Sequence, residues 1–115
     1  MNINLSTMQN SAREASGLLK ALANENRLMI LCQLIDDEMT VGELTARIGL
    51  SQSAMSQHLA VLRRDALVDT RREAQTIHYA LADQRAARVI QLLYDIYCST
   101  SAGSCGPTGR KNSNE

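Results

Sequence analysis

Thr40 and Ser51 are two helix-start signals in quick succession, and what lies between and after them leaves few folds open. Thr40 and Glu43 make a Thr-x-x-Glu capping box, in which each side chain takes a backbone N–H that a helix start leaves without a partner. The spacing predicts a helix of about eight residues, ended by Gly49, where a left-handed backbone costs glycine little. Ser51 then caps a helix to about Arg64. On it Met55, Leu59 and Leu62 repeat at i, i+4 and i+7 and must face a core. The opposite face carries Gln52, Ser53, Ser56 and Gln57, polar but almost uncharged. Hydroxyls and amides both donate and accept, which suits base edges in a groove better than a generic solvated surface.

Two β-prone runs follow, about Leu67 to Arg72 and Thr76 to Leu81, joined by Glu73-Ala74-Gln75. Helix, turn, helix and hairpin in that order predict a winged helix-turn-helix, mainly α with a small β-wing, whose second helix enters the DNA major groove. Arg71, Arg72 and Gln75 of the wing are expected to reach phosphates or the minor groove, and Arg63 a phosphate. His58 sits beside the core stripe, where a packed or phosphate-bonded imidazole is a better reading than a base reader.

The flanks predict association. Residues 1–10 are expected to be a flexible N-terminus. A first helix is placed from about Ser11 to Leu22, with Ala12, Ala15, Leu18, Leu19 and Leu22 at helical spacing. Asn24 reads as the N-cap of a second helix with Leu28, Leu31, Leu34 and Ile35 inward, Cys32 on the edge of that stripe, and Asp36-Asp37-Glu38 at its end. Asp83 can cap a last helix to about Cys98. Ala86, Ala87, Val89, Ile90, Leu92, Leu93, Ile96 and Tyr97 make that helix apolar nearly all round. It needs cover, and a homodimer through the first and last helices supplies it. Residues 11–98 are thus expected to form one DNA-binding and dimerisation domain, and 99–115, rich in Gly, Ser and Asn, a disordered tail.

Composition narrows the classes. With 115 residues and three aromatic side chains, all Tyr, aliphatic groups must build the core, and a domain this small gains from oligomerisation. Net charge is zero, so nucleic acid would be met by a local surface rather than an overall field. That surface is available in the paired arginines Arg63-Arg64 and Arg71-Arg72. No apolar run reaches the roughly 18 residues of a membrane span, and the first residues lack a basic region followed by an apolar block. A cytoplasmic location without membrane association is therefore expected, where three Cys suggest redox or metal thiols rather than a structural disulfide. No Gly-rich phosphate loop, Ser elbow or His–Cys dyad by spacing is present, so the chain is not expected to be an enzyme, and no cofactor is expected.

The runs LLKALANENRLMILCQL, VGELTARIGLSQSAMSQHLAVLRRDALV and TRREAQTIHYAL resemble the ArsR/SmtB family of small dimeric repressors, over about residues 11–98. Cys32 within MILCQL and Cys98 within DIYCST resemble the cysteine pair of its BigR/SqrR/HlyU-type branch, sensors of reactive sulfur species, and ANENRLMILC and SQSAMSQHLA look closest to HlyU-type regulators. The resemblance implies binding to an inverted-repeat operator in double-stranded DNA, and release when a polysulfide joins Cys32 to Cys98. Its chemistry follows thiol–disulfide exchange. If the bridge selects inserted sulfur, the reduced thiols should stand too far apart for an unstrained disulfide, whose Cα atoms lie within about 7 Å. Cys105 is expected to be a bystander. The family usually has Gly where this chain has Ala66. If that position needs a positive φ, Ala costs roughly 1 kcal/mol.

Two other readings stay open. Metal-sensing members often carry Cys in an ELCVC-like motif opening the third helix, where this chain has Thr40, or Asp and His pairs along the last helix, which here has no His. Two thiolates also fall short of four zinc ligands. The other reading is a constitutive DNA-binding module with packed cysteines.

Overall fold

A computed structural model describes residues 2–98, so the expected tail and Cys105 lie outside the described residues. The elements run α1 Leu5–Leu22, α2 Glu25–Asp36, β1 Met39–Thr40, α3 Val41–Ile48, α4 Gln52–Arg64, β2 Val68–Glu73, β3 Thr76–Leu81 and α5 Gln84–Tyr97. Residues up to Asp83 form one compact unit and α5 opens a second.

The sequence places the start of α1 at Ser11, whereas the helix begins six residues earlier, at Leu5. Asn4 is the reason. Its side chain accepts the N–H of Thr7 at 3.1 Å, an N-cap that lets the helix start well ahead of its apolar middle. The extension lengthens a 3-4 apolar seam, Leu5, Met8, Ala12, Ala15, Leu19 and Leu22, of which only Leu22 is buried. At the other end, Arg27 Nε donates to Ala21 O at 2.7 Å and its Nη2 to Lys20 O at 3.3 Å. One guanidinium from α2 thus serves two carbonyls at the end of α1, where the helix dipole also favours a cation.

Asn24, Thr40 and Ser51 all cap as expected, accepting from the N–H of Arg27, Glu43 and Ala54 at 3.1 Å each. The Thr40 box is complete, with Glu43 Oε1 accepting the Thr40 N–H at 2.9 Å. Gly49 ends α3 at φ 90°. The core of this unit draws Leu22 from α1, Ile30, Leu31 and Leu34 from α2, Leu44 from α3, and Met55, Leu59 and Leu62 from α4. Leu67 and Val68 close it. Ile30, absent from the apolar set read in the sequence, is fully buried, while Leu28 and Ile35 are only half-buried.

The sheet has order β1-β3-β2, all antiparallel. The two-residue strand β1 is not foreseen by the sequence; Met39 pairs with Tyr79 and Thr40 with His78. In the hairpin Glu73 faces Thr76, so the turn is Ala74-Gln75, one residue shorter than expected, and Ala74 has φ 58°. A positive φ at the first loop residue matches the twist of tight hairpins.

Between α4 and β2 the chain turns at Ala66, φ 62°. Leu67 N donates to Leu62 O at 2.9 Å and Ala66 N to Arg63 O at 3.0 Å. Those two bonds are the Schellman arrangement, with Ala66 at the left-handed position that glycine usually fills. The positive φ that the missing glycine put in question is therefore present. Leu62 and Leu67, the residues that normally bring the apolar contact of this motif, are both buried.

In the second unit α5 begins directly after Asp83. Ala86 and Ile90 are buried, while Leu92, Tyr94, Ile96 and Tyr97 are exposed. Cys98 follows the helix and donates its N–H to Tyr94 O at 2.7 Å.

Candidate nucleic-acid interface

The α4 helix divides cleanly. Met55, Leu59 and Leu62 are buried, whereas Gln52, Ser53, Ser56, Gln57, Ala60, Arg63 and Arg64 are exposed. At 3.6 residues per turn the exposed set spans an arc of about 140°, separate from the narrower buried arc. His58 is half-buried at the edge of the core stripe, where the sequence put it. The α3 helix braces α4, since buried Leu44 and the tight Gly49 turn leave no slack between them.

Arg71, Arg72 and Gln75 are exposed on the wing. The register separates the two arginines. Thr70 pairs with Tyr79 and Arg72 with Ile77, so these four share one face of the hairpin, while Arg71 and His78 share the other. Tyr79 shows which face is which. With Ser56, Leu59, Ala60, Arg63 and Arg64 of α4 it lines a shallow hollow between the helix and the sheet. Arg72 therefore lies on the α4 side of the hairpin. Arg64, read in the sequence only as half of a basic pair, and Tyr79, not singled out there, join the candidate surface. Tyr79 could have been found from the alternation that places it two residues from Ile77.

On the far face Arg71 grips Glu38 with two guanidinium nitrogens, Nη2 to Oε1 and Nε to Oε2, the latter at 3.4 Å. Arg71 Nη1 also stands 3.6 Å from Glu73 Oε1. His78 reaches both carboxylates, Nδ1 at 3.6 Å from Glu38 and Nε2 at 3.5 Å from Glu73. The Arg71 hydrogen bond holds the Glu38 carboxyl below the usual carboxylate range and raises the Arg71 guanidinium in turn. Glu43 is lowered chiefly by the backbone N–H of Thr40 in the capping box.

Cys32 on α2 is half-buried and Cys98 is exposed. Among the described residues no group of three or more His, Cys, Asp or Glu is placed to hold a metal ion, and no helix is long and apolar enough to cross a membrane.

The signature of the bacterial regulatory proteins of the arsR family matches residues 24–70, from the cap of α2 into the wing. The transcriptional activator HlyU of Vibrio cholerae is 54% identical over 99 residues, 86% of this chain and 92% of its own. The chain belongs to the arsR family. It is a DNA-binding transcriptional regulator of the HlyU and BigR kind. Solved structures agree on the winged helix-turn-helix. Reduced HlyU from Vibrio cholerae superposes with a TM-score of 0.77 at 55% identity, covering 82% of this chain and 99% of that one. The transcriptional repressor BigR from Xylella fastidiosa gives 0.80 at 41% identity, covering 84% and 98%. The homodimeric winged helix-turn-helix domain Mb0332 from Mycobacterium bovis gives 0.68 at 28% identity, covering 84% and 89%.

Proposed function

We propose that this arsR-family regulator works as a homodimer that binds an inverted-repeat operator and lets go when reactive sulfur bridges Cys32 and Cys98. The observation that carries DNA reading is the exposed, nearly uncharged face of α4. Gln52, Ser53, Ser56 and Gln57 meet bases and phosphates there, Arg63 a phosphate, and Arg72 and Gln75 the flanking backbone. His58 supports the helix from its edge. Phosphate contacts set register and salt dependence, and the α4 amides and hydroxyls carry sequence.

The dimer is supported by apolar surface that a single chain leaves bare. Leu5, Met8 and Leu19 of α1 and Leu92, Tyr94, Ile96 and Tyr97 of α5 are exposed. Two copies joined through these helices would set the α4 helices about 34 Å apart, one turn of duplex. The winged helix-turn-helix domain from Mycobacterium bovis is homodimeric, which supports a dimer here.

The sulfur switch is supported by the cysteine pair, one partly accessible on α2 and the other exposed just after α5. A thiolate attacks the sulfane sulfur of a persulfide or polysulfide donor, and the donor's thiolate leaves with the electron pair. With a polysulfide donor the first cysteine is left as Cys–S–S–SH. The second thiolate attacks the sulfur next to the terminal –SH, hydrosulfide leaves with the electron pair, and a Cys–S–S–S–Cys bridge remains. The two thiols are oxidised and the donor sulfur is reduced. A hundredfold loss of DNA affinity needs a coupling of roughly 2.7 kcal/mol between bridge and operator.

Fluorescence anisotropy with a duplex selected by the protein from a random pool tests the reading, with and without a polysulfide donor. The donor should weaken binding, and mass spectrometry should show two thiols lost with sulfur gained. DNA binding that ignores the donor would leave a constitutive module and overturn the switch.

A further inference from the structure

We propose that Arg71 is a positioning residue of the wing rather than a phosphate contact, and that Glu38 is its anchor. The inference rests on the DNA-binding reading and divides labour within its site. Three observations carry it. First, strand alternation puts Arg71 on the hairpin face opposite Arg72, and it is the Arg72 face that shares Tyr79 with the recognition helix. Second, Arg71 already holds a carboxylate in the two-nitrogen geometry that a guanidinium would use on a phosphate. Third, Glu38 belongs to a different part of the unit. It precedes β1, at the entry to the helix pair, 33 positions from Arg71 in sequence.

The contact therefore ties the hairpin to the start of the helix-turn-helix. His78 strengthens the tie, because it is the cross-strand partner of Arg71 and lies near both Glu38 and Glu73. The charged groups on this face are Glu38, Asp69, Arg71, Glu73 and His78, with Glu43 close enough to feel His78. The three carboxylates outnumber Arg71. A phosphate brought to Arg71 would meet that negative surplus, whereas Arg72 offers its charge on the other face. The clasp fixes the wing so that Arg72 arrives in register with α4.

Charge-preserving variants separate clasp from contact. Glu38→Asp shortens the reach, and Arg71→Lys keeps the charge but loses the fork. Binding to the selected duplex is measured by anisotropy over a range of salt. Both variants should weaken binding by about two- to fivefold, the scale of a surface ion pair, with the salt slope unchanged. Arg71→Gln should likewise leave the slope alone, while Arg72→Gln should reduce it by about 0.9, one phosphate. Hydrogen exchange of the Ile77, His78 and Tyr79 amides should accelerate in Glu38→Asp and Arg71→Lys without DNA present. The proposal is overturned if Arg71→Gln removes a unit of slope while Arg71→Lys binds like the parent, or if wing exchange is unmoved. Failure of the parent protein to bind any duplex would remove the DNA reading, and the exchange measurement would still judge the clasp.

Discussion

Ala66→Gly should stabilise the protein, and the structure says by how much. Ala66 sits at φ 62° as the left-handed residue that closes α4. An L-residue with a Cβ loses roughly 1–2 kcal/mol in this region, because the Cβ crowds the following carbonyl. Glycine removes that strain but gains freedom in the unfolded chain, worth roughly 0.4–1 kcal/mol. The Ala66 side chain is exposed, so no packing is lost. Its N–H bond to Arg63 O and the Leu67 bond to Leu62 O are backbone bonds that glycine retains. The net gain is about 0.5–1 kcal/mol. For a domain of this size each kcal/mol moves the melting temperature by roughly 4–8 °C. Thermal and urea unfolding should be compared at equal protein concentration, since association couples to stability. A midpoint that stays put or falls would refute the argument that this turn is strained.

Removing the cap in Thr40→Ala should cost about 1 kcal/mol in urea unfolding, because the Glu43 N–H loses its acceptor. Ser56→Ala and Gln57→Ala should each narrow the gap between selected and random duplex, by roughly 1–3 kcal/mol where a base contact is lost, read by competition anisotropy. Acid should destabilise the fold. Glu38 and Glu43 have depressed folded pKa values, so their contribution is present above the ordinary value of 4.5 and is lost as pH falls through the lower folded values. Melting temperature should therefore hold near neutrality and drop below about pH 4.5, less steeply in Glu43→Gln. Cys98→Ser should keep DNA affinity while losing the response to a polysulfide donor in the same anisotropy assay.

The recognition unit was legible because its signals are local. Thr40, Gly49 and Ser51 announce their roles through hydrogen bonds to residues three or four positions away, and the α4 stripe declares its inward face within two turns. Ala66 stands out only through the family resemblance, which usually has Gly there, and the positive φ itself is seen only in the structure. What escaped depends on distant chain. Met39 and Thr40 become a strand only because Tyr79 and His78 arrive beside them, and no two-residue run carries a periodicity to detect. The two wing arginines, adjacent in one strand, must point to opposite faces. Only the fold, with Arg72 opposite Ile77 and Arg71 opposite His78, decides which of them faces α4 and which meets Glu38. The early start of α1 escapes for another reason: Asn4 and Leu5 fall within residues 1–10, which read as a flexible N-terminus, although the cap and the seam both begin there.

Thr40 belongs to two structures at once. Its backbone lies in register with His78 of the wing, while its hydroxyl receives the Glu43 N–H at the head of α3. A lever attached at one point to two bodies transmits whatever moves either of them. A displacement of the hairpin at His78 therefore has a path with no intervening loop to the first turn of α3, the helix packed against α4.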